Sequence, residues 1–318
     1  LKCEVHEIGK RWAHAQANPI SPVMVKEAPV HEVVYCGENL MAKGCLEEFP
    51  IPVSTPGWDI APYMTSPYWV TKDPESGIRN IGTYRAQIKS PDRTGVYIAK
   101  YFRGLAYHWR KCRGLGKPLE AAVIIGAPPN VGYTSVSQLP TDVDEYTIAG
   151  GISGEPVELV KCKTVDLEVP AHSEIVIEGE ISTEEVELEA PFGEATGYVG
   201  QRETGLIFMV KCITHRRAPI WQAFISQFPP SESSVIRGIA CANIIPKRLR
   251  ELGIMNLRQA AVHFTNGSDR FVVLQMGRTN REEIWSALEA MPKNFPAFSK
   301  IVIAVDEDVN PQNANLVN

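Results

Sequence analysis

No stretch of this sequence approaches the roughly 20 consecutive apolar residues that a membrane-spanning helix needs, so no membrane span is expected. The first ten residues, LKCEVHEIGK, lack the apolar core of a secretory signal. Positive charge is not in excess either. With 32 Lys and Arg against 37 Asp and Glu, the net charge of -5 argues against a nucleic-acid partner. It leaves room for local basic patches that hold phosphate. Cysteine is sparse and unpatterned: Cys3, Cys36, Cys45, Cys112, Cys162, Cys212 and Cys241 never form CxxC. That scatter removes the common zinc spacings. It favours free thiols in a reducing, cytoplasmic compartment. Also missing are GxxxxGK[ST], HExxH and GxSxG. The runs RGLGK and AGGISG lack GxGxxG spacing and read as turns.

What is present is ordinary globular material. At 318 residues and 44% hydrophobic composition, the chain can bury a large core without disulfide or metal staples. It begins at Leu1 and stops soon after a strand-like run, so a piece of a longer protein is expected. Residues 1–65 are loop-rich and read as the end of one α/β domain and a connection. From 66 to 227 the runs SPYWVTKD, AAVIIGA, VELVKCKTVDLEVP, EIVIEGEI, LIFMVKCITHR and PIWQAFISQ read as strands. One helix is expected over Val96–Lys111. From 228 to 318 the pattern changes. A Ser-capped helix containing Pro246 is followed by strands and helices in alternation, as an α/β layer requires.

Two segments carry candidate chemistry. In ELEAPFGEATGYVG, Glu189 and Glu194 flank Pro191 and Gly193, which shape a turn rather than a helix. Two carboxylates aimed at one space repel, so one keeps its proton and can act as a general acid. The same spacing also fits a hairpin corner with two solvated acids. In DPESGIRNIGTYRAQ, Arg85 is suited to fork a substrate carboxylate. Arg79, Arg93 and Arg103 lie close in sequence, and composition does not choose among them.

Taken together, DPESGIRNIGTYR (73–85), DEYTIAGGISGEPVELVKC (144–162) and EAPFGEATGY (189–198) resemble the UbiD family. The runs VPAHSEIVIEGEI (169–181), HRRAPI (215–220) and KIVIAVDEDV (300–309) fit in the same order, so the likeness covers about Phe49 to Val309. The resemblance implies an α/β (α+β) protein with a central split β-barrel, flavin-reductase-like domain (66–227) that binds prenylated FMN, flanked by α/β layers. It implies a carboxy-lyase acting on an aromatic, heteroaromatic or α,β-unsaturated acid, or a coenzyme A ester. A basic cluster of Arg103, Arg110, Lys111 and Arg113 is either a positive entrance for such an ester or a solvated helix face.

By the same resemblance, Arg85 positions the carboxylate, Glu189 orients Arg85, and Glu194 donates the proton. A Mn2+ or Mg2+ ion would join the flavin phosphate to Asn80 and Glu145. A K+ ion would be held near Thr134, Ser135 and Ser137, with Ile81 as a further candidate, and Lys300 would approach the phosphate. The family's usual third metal ligand is a His, and the aligned position here is Tyr101. The next His, His108, sits seven residues on, about 10 Å along a helix. The expected partners are a flavin prenyltransferase that supplies the cofactor and copies of the chain in a dimer or hexamer. The alternative is a non-catalytic subunit of a larger carboxylase complex.

Overall fold

The computed structural model describes the chain apart from residues 1–2, 55–56, 58, 99–103, 138, 195–197, 201–202, 226, 228–229, 265–269, 297 and 318. Two compact units result. The first holds 1–4, 10–192 and 201–224, and the second holds 5–9, 193–200 and 225–318.

Among the described residues the first unit's main sheet has nine strands. From one edge the order is Tyr63–Met64, Ala86–Ser90, Arg93–Val96, Thr204–His215, Ile175–Leu188, Leu119–Ile125, Tyr68–Lys72 and Arg79–Thr83. Val33–Cys36 also pairs with Thr204–His215. Every pairing is antiparallel, and none closes the sheet into a barrel.

The continuous apolar runs in the sequence arise because both faces of the sheet are buried. Successive side chains of a strand point to opposite faces. Thus Leu119, Ala121, Val123 and Ile125 enter one core with Trp69, Ile175, Ile177 and Phe208. The intervening Ala122 and Ile124 enter another core with Tyr68, Val70, Ile81 and Val176. The helix Gly104–Gly114 covers the first core with Leu105, Ala106 and Trp109. Pro129–Ser135 and Glu145–Ser153 cover the second with Val131, Tyr146 and Ala149.

In the second unit, Leu257–His263 pairs antiparallel with Phe271–Met276, which pairs parallel with Ile301–Val305. Parallel neighbours need a crossover, and the helix Arg281–Asn294 provides it. The helix Glu232–Glu251 starts on a Ser231 capping box and runs unbroken past Pro246. No helix among the described residues is long and apolar enough to cross a membrane.

Three expectations are corrected. The helix expected over Val96–Lys111 does not include Val96, which is a ladder residue opposite Leu206, and its described part is Gly104–Gly114. The run PIWQAFISQ is not a strand over its described residues. Its backbone groups pair instead with side chains: Ile220 N donates to Glu174, Phe224 N donates to Thr65 Oγ1, and the Gln222 carbonyl accepts from Ser66 Oγ. The cysteines are not all free thiols either. Cys36 and Cys212 face each other on antiparallel strands with Cα atoms 4.3 Å apart, and they form a disulfide.

Candidate active site

Local sequence places Arg85 just past the end of Arg79–Thr83, and Glu189 one residue past the end of Ile175–Leu188. Across the sheet their side chains meet. Arg85 Nε donates to Glu189 Oε1 at 3.0 Å and to Oε2 at 3.1 Å, and Nη2 donates to Oε2. The side chains are 11% and 3% exposed, so the pair is withdrawn from water. Charge-assisted forks of this kind fix both partners. The rings of Tyr97 and Phe192 lie 4.1 and 4.9 Å from the guanidinium carbon.

The backbone around Glu189 is fastened by three hydrogen bonds. Glu189 N donates to Glu203 O at 2.7 Å, and Ala190 N donates to Gln87 Oε1 at 3.1 Å. Tyr63 Oη donates to Ala190 O at 3.0 Å while its ring packs on Phe192. Burial, and then the nearby Glu189 charge, push the Tyr63 phenol well above its usual range. Sequence reasoning missed Tyr63, Gln87, Tyr97 and Phe192 as parts of this site. Their only signal was a polar or aromatic residue on a strand, which cores also use.

The neighbouring arginines have other partners. Arg79 bridges Asp144 and Glu168, with Nε 2.9 Å from Asp144 and Nη1 2.9 Å from Glu168. Arg93 pairs with Glu187 at 2.6 Å. Lys111 pairs with Asp73 and Glu75, and Arg113 stacks on Trp109. The basic cluster is therefore partly neutralised by its own neighbours, and Arg103 lies outside the described residues.

A second polar group lies around Asn80 and Glu145. Glu145 opens its helix behind the Asp144 N-cap and is 5% exposed. It accepts from Asn80 Nδ2 at 2.7 Å and from Ile81 N at 3.1 Å. Burial pushes its carboxyl up to about 7 despite those donors. Asn80 Oδ1 is buried with no hydrogen-bond partner among the described residues. Gly104 makes the close approach here. It has φ +53, and a Cβ on it would stand 2.7 Å from Asn80 Oδ1 and 2.6 Å from Tyr84 Oη.

Among the described residues no three His, Cys, Asp or Glu cluster as a self-sufficient metal site. An orphaned amide oxygen beside a buried carboxylate still fits a hard divalent ion whose remaining ligands come from elsewhere, such as a phosphate. His108 shares this recess. Its Nδ1 bonds Thr71 Oγ1 at 2.9 Å, and burial lowers its pKa to about 4. Tyr101 lies outside the described residues.

The other candidates are spread. Thr134 and Ser137 turn their hydroxyls to the carbonyls of Asn130 and Tyr133. Ser135 Oγ reaches Gly132 O and, at 2.8 Å, Thr83 Oγ1. Glu194 and Lys300 belong to the second unit. There Glu194 N donates to Tyr198 O at 2.8 Å, and Lys300 Nζ lies 5.9 Å from the Tyr198 ring centroid.

Comparison with known proteins adds an independent line. Residues 23–229 match the family model UbiD, described as 3-octaprenyl-4-hydroxybenzoate carboxy-lyase Rift-related domain. An uncharacterized protein of Synechocystis is 35% identical over 288 residues, which are 89% of this chain and 55% of that protein. The chain thus spans about half the length of the curated relatives it matches. The UbiD-class enzyme HmfF from Pelotomaculum thermopropionicum, solved with FMN, superposes with a TM-score of 0.90 at 32% identity. That match covers 99% of this chain and 69% of HmfF. An evolved dimeric form of HmfF solved with prFMN gives 0.88 at 32% identity, covering 98% and 71%. The vanillic acid decarboxylase of Sedimentibacter hydroxybenzoicus in its open form gives 0.83 at 28% identity, covering 98% and 65%.

Proposed function

The chain belongs to the UbiD family, and from that premise we propose that it binds prenylated FMN and carries out reversible, non-oxidative decarboxylation of an aromatic, heteroaromatic or α,β-unsaturated carboxylic acid. The observation that carries the reading is the buried fork of Arg85 on Glu189. A cation held this firmly, with rings against its planar group, suits recognition of a planar carboxylate. HmfF, the similar enzyme, is solved with FMN and with prFMN. When bound, the flavin supplies the electron sink for the carbon that loses carbon dioxide.

The chain's own residues do the rest. Arg85 orients the departing carboxylate, and Glu189 fixes the angle of Arg85 and keeps its charge compensated. Glu194 delivers a proton from its carboxyl oxygen to the carbon that held the carboxylate, and water restores that proton. Asn80 Oδ1 and the Glu145 carboxylate would hold Mn2+ or Mg2+, which would neutralise charge on the flavin phosphate, and Lys300 would add a further positive charge there. The main chain near Ile81 and Thr134–Ser137 would hold K+. In this reading the open antiparallel sheet is the split barrel of a flavin-binding domain at 66–227, followed by an α/β domain at 228–318. The assembled protein is a homo-oligomer in the cytoplasm.

A screen for carbon dioxide release tests the proposal, using the chain loaded with matured cofactor across aromatic and acrylic acids. Release from at least one acid is expected. Failure to bind flavin and to release carbon dioxide from any acid would reject the reading.

A further inference from the structure

The Arg85–Glu189 pair is not held by its own hydrogen bonds alone. Register places Tyr97 beside it: Tyr97 N donates to Arg85 O at 3.3 Å, continuing the ladder between Arg93–Val96 and Ala86–Ser90. The Tyr97 ring then lies 4.1 Å from the Arg85 guanidinium carbon. Its hydroxyl donates to the Glu203 carboxylate. Glu203 in turn accepts the Glu189 amide through its own carbonyl, at 2.7 Å. The contacts form a closed ring, from Arg85 to Glu189, to Glu203, to Tyr97 and back to Arg85.

We propose that Tyr97, anchored by Glu203, is a positioning residue that sets the plane of the Arg85 guanidinium. Two features of the ring of contacts argue for this role. The Glu189 carboxylate fixes one edge of the guanidinium, and the rings on its faces resist rotation about that edge. A ring at 4.1 Å restrains that rotation and gains cation–π attraction that grows as water is excluded. The hydroxyl bond to Glu203 keeps the ring from swinging away. Because Glu203 also holds the Glu189 backbone, both halves of the ion pair are referenced to one residue. The inference deepens the decarboxylase reading and rests on it for its functional consequence, whereas the contact itself does not.

The experiment therefore has two arms. In urea unfolding of the full chain, Tyr97→Leu, Arg85→Ala and the double variant form a thermodynamic cycle. Tyr97→Leu is expected to lower the folding equilibrium constant about tenfold with Arg85 present, and about threefold or less when residue 85 is Ala. Equal losses in both backgrounds overturn the inference. In the second arm, with cofactor-loaded protein, Tyr97→Leu should lower kcat about tenfold with KM little changed. Tyr97→Phe, which keeps the ring but loses the bond to Glu203, should recover part of that loss. A Leu variant as fast as the unsubstituted chain, or a Phe variant as slow as Leu, also overturns it. If the unsubstituted chain binds no flavin while the unfolding cycle shows coupling, the decarboxylase reading fails and the positioning contact is supported.

Discussion

Arg85 and Glu189, 104 positions apart in sequence, meet as a buried ion pair in which Nε and Nη2 of one guanidinium both donate to one carboxylate. Removing one member of such a pair strands the other. Arg85→Ala should therefore cost about 3–5 kcal/mol in urea unfolding, because it leaves the Glu189 charge buried and uncompensated. Glu189→Gln in the Arg85→Ala background should recover part of that loss. An Arg85→Ala chain of unchanged stability would show that water reaches the pair.

Glu194 follows Glu189 by five residues, yet it belongs to the second unit. Under the proposed function its carboxyl carries the proton while Arg85, oriented by Glu189, holds the acid. Glu194→Gln keeps the shape and removes the proton chemistry. Turnover should fall by about two to four orders of magnitude while the flavin absorbance of the loaded protein is retained. Turnover within about threefold of the unsubstituted chain would remove Glu194 from the proton step.

Gly104 and Asn80 give a prediction about metal. Gly104→Ala adds a methyl 2.7 Å from Asn80 Oδ1, at a backbone φ that disfavours a side chain. We expect a loss of about 1–3 kcal/mol in stability and weaker Mn2+ binding in titrations followed by electron paramagnetic resonance. Glu145→Gln should also weaken Mn2+ binding, since it removes the carboxylate that would hold the ion and leaves one of the donors Asn80 Nδ2 and Ile81 N without an acceptor. Tight Mn2+ binding by both variants would place the ion elsewhere.

His108 gives the pH dependence. Burial lowers its pKa from 6.5 to about 4. Between those values the unfolded chain binds more protons than the folded one, so stability rises with pH in this window. The contribution is fully present above about 6.5 and is lost as pH falls through about 4. Its size is on the order of 3 kcal/mol at 1.36 kcal/mol per pKa unit. His31, also lowered to about 4, acts in the same direction. His108→Gln should flatten the slope of unfolding free energy between pH 6.5 and 4. An unchanged slope would show that His108 titrates alike in both states.

Local signals in the sequence determined the elements whose causes are local. The apolar runs at 68–72, 119–125 and 175–181 reveal strands buried on both faces. The Ser-rich stretch before Glu232 announces the capped helix, and the alternation after it announces the α/β layer. The long motifs around Arg85, Glu145 and Glu189 point to the family. Pairing across the chain was not legible, because periodicity says which face a residue occupies and nothing about its partner. Only tertiary packing gave Glu189 to Arg85, Asp144 and Glu168 to Arg79, and Glu187 to Arg93. Antiparallel register joined Cys36 to Cys212 and set Tyr97 beside Arg85. The packing of a helix on the sheet seated the His108 ring against Thr71. Those contacts depend on which elements lie side by side, and that is decided when the whole sheet buries its two faces.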